Sequence, residues 1–123
     1  MHLQESKIKK ESRTKSWDNL YIGITGANGS LGRALTKLFR VKGAYVIGLT
    51  HRPINYFNKS EDSPNEWIQW SCGEEVKLSK TLKRLDILII NHGVNRKGNQ
   101  STVDIDNSLE VNALSSWRLI KIF

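Results

Sequence analysis

The chain has 123 residues, of which 38% are hydrophobic and 25% charged, so composition predicts one globular domain at most. No apolar run approaches the roughly 20 residues that a membrane-spanning helix needs, and the N-terminus lacks the apolar core of a secretory signal. The single cysteine, Cys72, excludes an internal disulfide and predicts a reducing, cytoplasmic location. His2, His51 and His92 are scattered without metal-ligand spacing, so we expect no metal site.

The net charge of +7 is partly concentrated at the N-terminus, where we predict a flexible basic tail over residues 1–18. Residues 1–16 hold five basic and two acidic side chains, a net +3. Such a tail can bind nucleic acid or an anionic membrane surface, or it can stay solvated. Because no aromatic side chain lies among the basic ones, the stacking platform of a single-strand binder is missing. We expect a solvated tail without a specific nucleic-acid or membrane partner.

The first strand is predicted over residues 20–25, and a helix follows it. The helix shows apolar residues at the spacing of one buried face. These residues are Leu31, Ala34, Leu35, Leu38 and Phe39. Gly43 lies where a C-terminal helix cap belongs, and residues 44–49 form a second apolar strand.

The middle of the chain alternates in the same way. Residues 55–66 are rich in Asn, Ser and Asp and are predicted to form a loop, and residues 67–72 a third strand. Residues 74–85 carry leucines at helical spacing, and residues 86–90 form a fourth, strongly apolar strand.

The last segment is predicted to be a loop over residues 91–100 and a helix from Asp106. More than one face of that helix is expected to be buried, because Val111, Leu114 and Leu119 lie off a first apolar stripe, which holds Trp117 in core or interface packing. The stripe consists of Leu109, Ala113, Trp117 and Ile120.

Alternating strands and helices predict an α/β fold, a Rossmann-like doubly wound parallel sheet over residues 19–123. The four strands are expected in the order 3-2-1-4. In such a sheet ligands bind at the carboxyl ends of the strands, where the strand order reverses. The fold is expected to be incomplete, because no fifth strand follows the last helix. Association through that helix or through the exposed edge of the fourth strand is expected.

A glycine-rich turn joins the first strand to the first helix. Gly26 permits the sharp exit from the strand, Gly29 lets backbone approach a ligand, and Gly32 lets helix and strand pack closely. Free N–H groups at such a helix start form an anion site that suits a pyrophosphate. A glycine triplet alone is weak evidence, but here it follows a strand pattern and opens a helix pattern.

Three segments resemble motifs of the short-chain dehydrogenase/reductase family. Thr25-Gly-Ala-Asn-Gly-Ser-Leu-Gly32 is similar to its cofactor loop, with the glycine spacing of the extended and atypical branches. Asp86-Ile-Leu-Ile-Ile-Asn-His-Gly93 resembles the family's Asp-Ile-Leu-Val-Asn-Asn-Ala-Gly segment, although His92 replaces the alanine. Glu110-Val-Asn-Ala-Leu114 resembles the helix with the catalytic-tetrad asparagine.

The resemblance implies the roles of individual residues. Asn112 would be the catalytic asparagine, and Asn91, His92 and Gly93 would line the ribose and central region of the cofactor. The cofactor's phosphates would be surrounded by Gly26, Asn28, Gly29, Ser30, Leu31 and Gly32.

The position after the second strand bears on cofactor choice. An acidic residue there would bind the ribose hydroxyls of NAD and repel a 2′-phosphate. This chain has Thr50, His51 and Arg52 instead, a hydroxyl and a guanidinium that suit a phosphate. The sequence favours NADP over NAD, the alternative being that Arg52 only points into water.

The catalytic pair of the family is absent from this chain. Its chemistry needs a tyrosine with a lysine four residues later, and none of Tyr21, Tyr45 and Tyr56 has one. The sequence therefore predicts the front, truncated, NAD(P)-binding half of an oxidoreductase for carbonyl or alcohol substrates, inactive alone. The alternative is a non-catalytic module that binds or senses a dinucleotide.

Overall fold

A computed structural model describes residues 17–54, 59–93 and 109–123. Within them, four strands form one parallel sheet in the spatial order β3-β2-β1-β4. The strands are β1 (Tyr21–Thr25), β2 (Tyr45–Thr50), β3 (Glu66–Gln69) and β4 (Ile87–Ile89). Tyr21 pairs with Tyr45 and Ile22 with Ile87, so β1 lies between β2 and β4. The predicted Rossmann-like sheet and its strand order are confirmed.

Helices cover both faces of the sheet. They are α1 (Ser30–Val41), α2 (Glu75–Thr81) and α3 (Ser115–Ile122), and a π-helical turn (Glu110–Leu114) leads directly into α3. Successive side chains of the strands point to opposite faces of the sheet and so contribute to two separate cores. Val46 points into the core beneath α1, and its neighbour Ile47 points into the core shared with α2 and α3.

The rotation of α1 differs from the predicted one. Its buried residues are Gly32, Thr36 and Phe39, whereas Leu31 and Leu38, expected in the core, are largely exposed. Gly32 lies against the backbone of Gly26, and this close approach turns the Gly32 side of the helix inward. The predicted glycine cap is confirmed, since Gly43 follows the helix with φ of +97°.

Two elements in the middle of the chain have bounds that differ from the predicted ones. β3 begins at Glu66, inside the predicted loop, and it ends at Gln69 rather than at residue 72. The helix predicted to residue 85 ends at Thr81, because Leu82 is extended, with ψ of 91°. Leu82 and Leu85 still reach the core shared with α2, but from non-helical backbone.

The burial predicted for the stripe of the last helix was wrong, whereas Leu119, which lies off that stripe, is buried as expected. The buried residues of the helix are Ser115 and Leu119, whereas Leu109, Ala113, Trp117 and Ile120 are exposed. A π-helical turn holds more residues per turn than an α-helix, so a stripe extrapolated at 3.6 residues per turn does not continue through it. The predicted start of this helix, the loop over residues 94–100 and the tail over residues 1–16 lie outside the described residues.

Trp17 belongs to the folded unit rather than to the predicted tail. Its ring stacks on Phe39 of α1, with centroids 5.4 Å apart and planes at 18°. The described chain therefore begins with a side chain packed against the α1 core.

Candidate functional site

A pocket of about 470 Å³ opens at the carboxyl ends of all four strands. Parallel strands that reverse their order leave a crevice at this edge, because the crossovers on either side run to opposite faces. The lining residues are Gly26, Asn28, Gly29, Leu49, Thr50, His51, Trp70, Ser71, Cys72, Asn91, His92, Gly93 and Val111.

Two glycines of the loop after β1 are required by the fold itself. Gly26 has φ of +64°, and a Cβ there would lie 2.5 Å from the carbonyl oxygen of Asn91. A Cβ on Gly32 would meet the carbonyl oxygen of Gly26 and lie 2.7 Å from Cα of Ala27. These two positions therefore keep α1, β1 and the loop after β4 in close contact.

Gly29 differs from both of them. It caps the N-terminus of α1 in an extended conformation (φ −79°, ψ 172°) that any residue can adopt. The nearest atom to an added Cβ is the carbonyl oxygen of Gly26, at 3.4 Å, which is an ordinary contact distance. Because Gly29 lines the pocket, a side chain at this position would extend into the space of the pocket.

The N-terminus of α1 is open toward this loop. The first intrahelical bond runs from the N–H of Arg33 to the carbonyl of Gly29, at 2.9 Å. The N–H groups of residues 30–32 precede that bond and have no carbonyl four residues back within the helix. Such groups, together with the helix dipole, favour a negatively charged ligand.

The hydroxyl of Thr50 joins the loops after β1 and β2. Its Oγ1 donates to Oδ1 of Asn28 at 3.3 Å and accepts the N–H of Arg52 at 3.1 Å. Thr50 is almost fully buried, so its hydroxyl orders the two loops. His51 lines the pocket, whereas the next residue, Arg52, is exposed and does not line it.

A polar cluster forms the opposite wall of the pocket, between β1 and β4. Oγ1 of Thr25 accepts the N–H of Asn91 at 2.7 Å and lies 2.9 Å from Nδ1 of His92. The imidazole meets the ring of Trp70 edge-on, at a centroid distance of 5.6 Å. Burial lowers the pKa of His92, although the backbone of Val111 and the charge of Glu75 partly oppose this. The ring is therefore held neutral at physiological pH.

Asn112 lies in the π-helical turn beside the loop after β4. A Cβ built on Gly93 would lie 3.0 Å from Oδ1 of Asn112, so the amide faces that loop. Arg118 of α3 holds the turn in place, because its guanidinium binds Glu110 and its Nε donates to Glu75 at 2.7 Å.

The structure brings most of the predicted cofactor residues to one pocket. Its lining includes Gly26, Asn28, Gly29, Thr50, His51, Asn91, His92 and Gly93. The remaining predicted residues do not line the pocket, and these are Ser30, Leu31, Gly32, Arg52 and Asn112.

Sequence reasoning missed the wall that follows β3. Trp70, Ser71 and Cys72 line the pocket because they follow the carboxyl end of that strand. Thr50 and Asn91 lie at the same ends of β2 and β4. Ligands bind at the carboxyl ends of the strands, so the correct end of β3 would have identified these residues. The third strand was instead predicted to run through residue 72. Leu49 and Val111 complete the lining without a sequence signal of their own.

The fold and the glycine loop together define a Rossmann-like domain of the short-chain dehydrogenase type. Residues 22–123 match the NAD dependent epimerase/dehydratase family, and the chain belongs to that family. The resemblance found in the sequence is therefore confirmed.

A curated relative and three solved structures are similar to this chain. The relative is the monoglucosyldiacylglycerol epimerase of Synechocystis sp., 34% identical over 104 residues that make up 83% of this chain. A short-chain dehydrogenase of Escherichia coli, solved with NADPH, has a TM-score of 0.72 at 18% identity over 89% of this chain. The short-chain dehydrogenase/reductase of Serratia marcescens, solved as a variant, has a TM-score of 0.73 at 20% identity over 86%. That of Leptospira borgpetersenii, solved with bound NAD⁺, has a TM-score of 0.69 at 22% identity over 86%.

The chain is much shorter than these proteins. It spans 25% of the length of the curated relative and 53%, 50% and 45% of the three solved chains. No described helix is long and apolar enough to cross a bilayer.

Proposed function

We propose that this chain binds a nicotinamide dinucleotide in the pocket at the strand ends, as the cofactor-binding part of a cytoplasmic oxidoreductase. The observation that carries the proposal is Gly29, a pocket-lining glycine that neither the backbone conformation nor the packing requires. At an open helix N-terminus, such a position lets a diphosphate approach the backbone. Membership in the NAD dependent epimerase/dehydratase family supports it.

The parts of the ligand follow from the chemistry of the walls. The diphosphate lies at the N-terminus of α1, against Gly29 and Ser30. The apolar wall of Leu49, Trp70 and Cys72 suits the face of a purine. Asn91 and Gly93, on the β4 side, line the central ribose.

The end of β2 favours NADP over NAD. No carboxylate follows β2 where a ribose hydroxyl would be bound, since the residues there are His51 and Arg52. The bond from Thr50 to the N–H of Arg52 fixes the backbone at this point, while the guanidinium stays free to reach solvent-side phosphate oxygens. A 2′-phosphate would take charge-assisted hydrogen bonds from it.

Titration with NADPH and NADH tests the proposal, with emission from the tryptophans as the signal, because Trp70 lines the pocket. We expect saturable binding that favours NADPH. Gly29→Ala should weaken binding about tenfold or more, because its methyl occupies the diphosphate position. It should lower the melting temperature less than Gly32→Ala does, since its methyl group has room in the free protein and only the poorer N-cap preference of alanine acts against it. Gly32→Ala is the structural control and should lower the melting temperature as well.

Two outcomes contradict the proposal. If the folded wild-type chain shows no binding of NADPH or NADH at millimolar excess, the pocket is not a dinucleotide site. If Gly29→Ala binds as well as the wild type, the diphosphate does not lie at α1. Arg52→Ser addresses the NADP preference separately, and should reduce the affinity for NADPH while leaving that for NADH unchanged.

The complete enzyme would transfer hydride between the nicotinamide and a carbonyl or alcohol, with Asn112 in the catalytic set by resemblance. The relative's name, a glucolipid epimerase, makes a secondary alcohol of a sugar one candidate substrate. Tyr21 and Tyr45 begin β1 and β2, at the far end of the sheet from the pocket. Burial and the nearby carboxylate of Glu66 raise the pKa of Tyr45, the opposite of what a general acid–base needs.

A second candidate function is a non-catalytic dinucleotide-binding module. The position of the two described tyrosines favours it for this chain alone. Under this candidate NADPH raises the melting temperature while no carbonyl compound is reduced. Turnover at an ordinary enzyme rate by the 123-residue chain would exclude it.

A further inference from the structure

Three buried polar atoms lie behind the wall of the pocket that contains His92. Among the described residues, the buried side-chain oxygens and nitrogens without a hydrogen-bond partner are Oε2 of Glu75, Nε2 of His92 and Oγ of Ser115. Glu75 is almost fully buried, and Ser115 is fully buried. Because an unsatisfied buried polar group costs free energy, three of them in one region indicate a partner that they share.

The three residues are neighbours, although they belong to different elements. Burial disfavours the charge of Glu75, but hydrogen bonding from Arg118, the backbone and Ser115 holds its pKa below the ordinary value, so Ser115 lies beside that carboxylate. Burial lowers the pKa of His92, whereas the backbone of Val111 and the charge of Glu75 raise it. Val111 precedes Ser115 by four residues and lines the pocket together with His92. The three atoms are therefore close, while none of them completes a direct hydrogen bond.

On the pocket side, His92 stands at the end of a short chain of hydrogen bonds. The N–H of Asn91 donates to Oγ1 of Thr25 at 2.7 Å. That oxygen lies 2.9 Å from Nδ1 of His92 and 3.4 Å from the carbonyl oxygen of Ile89, so its own proton is better placed for the imidazole. When Nδ1 accepts a hydrogen bond, a neutral imidazole carries its proton on Nε2. Nε2 then donates toward the buried side, where the negative charge of Glu75 favours a donor.

We propose that one ordered water molecule links His92 to Glu75 and Ser115, and that these two are positioning residues of the dinucleotide pocket. The water accepts Nε2–H and donates its protons to Oε2 of Glu75 and to Oγ of Ser115, and three partners are typical of a buried water. All donors then run in one direction, from Asn91 to a carboxylate paired with Arg118, and bonds in such a chain strengthen one another. The role in the pocket rests on the proposed function, since Asn91 and His92 line the pocket.

Nitrogen-15 NMR of the histidine side chains in the full chain without coenzyme tests the link. The shifts of the two ring nitrogens report which of them carries the proton, and His92→Gln identifies the signals of His92. We expect the wild type to hold His92 in the Nε2–H form. Ser115→Ala should give a mixture of the two tautomers, because the water loses one of its three partners. Glu75→Gln should also give a mixture, and it should lower the pKa of His92, since the carboxylate charge raises that pKa.

Glu74→Gln is the matched control. It removes the same charge from the neighbouring position, but the partly exposed Glu74 pairs with Lys77 at 3.7 Å instead of contacting the cluster. Glutamine keeps a carbonyl oxygen that can accept the N–H of Ser71, as Oε1 of Glu74 does at 3.1 Å. This variant should show the tautomer and the pKa of His92 that the wild type shows. Circular dichroism melts identify the folded variants, and Ser115→Ala removes only a hydroxyl that has no direct partner.

Titration with NADPH measures the role in the pocket separately. Ser115→Ala should raise the Kd about threefold or more, the effect of losing about one net hydrogen bond from the wall. Glu74→Gln should bind as the wild type does.

Four results overturn the proposal in whole or in part. An Nδ1–H tautomer in the wild type excludes the water link, and so do His92 signals that Ser115→Ala and Glu75→Gln leave unchanged. An equal change in Glu74→Gln would assign the effect to long-range charge. Unchanged NADPH affinity in Ser115→Ala would remove the positioning role. A wild type that does not bind NADPH overturns that role together with the proposed function, whereas the NMR result still decides the water link.

Discussion

This chain departs from the motif it resembles at Ile90 and at His92, and the surroundings of His92 explain how an imidazole fits there. One ring nitrogen faces the hydroxyl of Thr25, and the ring edge packs on Trp70. The motif's small alanine gives no sign of such a cluster. The sequence therefore places a histidine in the cofactor loop. Its contacts with Thr25 of β1 and with Trp70, which follows β3, became visible only in the folded sheet.

The lowered pKa of His92 predicts a pH-dependent stability. Since burial disfavours the charged ring, protonation below the ordinary value of 6.5 costs free energy in the folded state only. The stabilisation is complete above that value and is lost as the pH falls below it, with a slope of at most about 1.4 kcal/mol per pH unit. Denaturant unfolding between about pH 7.5 and 5 measures this slope.

His92→Gln should flatten that pH profile, because glutamine does not titrate. His51→Gln, on an exposed residue of the same pocket, is the control and should retain the wild-type slope. An unchanged slope in His92→Gln would assign the pH dependence to another group.

At the scale of elements, one ion-pair network connects α2, the π-helical turn and α3. Glu75 is 1% exposed, and its carboxylate accepts a hydrogen bond from Nε of Arg118. The guanidinium of Arg118 also binds Glu110. Burial would raise the pKa of Glu75, but the hydrogen bonds from Arg118 and the backbone outweigh it and hold that pKa below its ordinary value. The carboxylate therefore stays charged at neutral pH and depends on its partner.

Arg118→Met should destabilise the fold by about 3–5 kcal/mol, because it leaves a buried carboxylate without compensation. Arg118→Met/Glu75→Leu should recover most of that loss, since it removes the buried charge as well. Urea unfolding of the two variants gives the comparison. Equal losses in the single and double variants would show that packing, rather than the ion pair, carries the effect.

The elements also show where sequence reasoning succeeds. The existence of β1 and β2 followed from continuous apolar runs, because strands buried on both faces leave little choice of residue. Helix rotation did not follow, since α1 offers apolar side chains on two sides. The contact of Gly32 with the loop of Gly26, rather than hydrophobicity, decides which side faces inward.

At the scale of the whole molecule, the open edge of the sheet is the main feature that needs explanation. Among the described residues, β4 has a neighbouring strand on one side only, and Ile87 on it is 39% exposed. A cavity of about 330 Å³ adjoins that edge, lined in part by Leu88, Leu119 and Phe123. Unpaired backbone groups along such an edge, next to an apolar cavity, form a surface on which another strand can pair.

We propose that copies of the isolated chain associate through this edge. Because unpaired backbone groups beside apolar side chains template pairing, the mass measured by sedimentation equilibrium should rise with concentration. Added salt should increase the association, since it screens the repulsion between chains of net charge +7. Ile87→Lys should shift the equilibrium toward the monomer by about tenfold or more, because an edge lysine opposes strand pairing. Val76→Lys, on the exposed side of α2, is the control; an equal effect there would point to net charge, and association unchanged in Ile87→Lys would place the contact elsewhere.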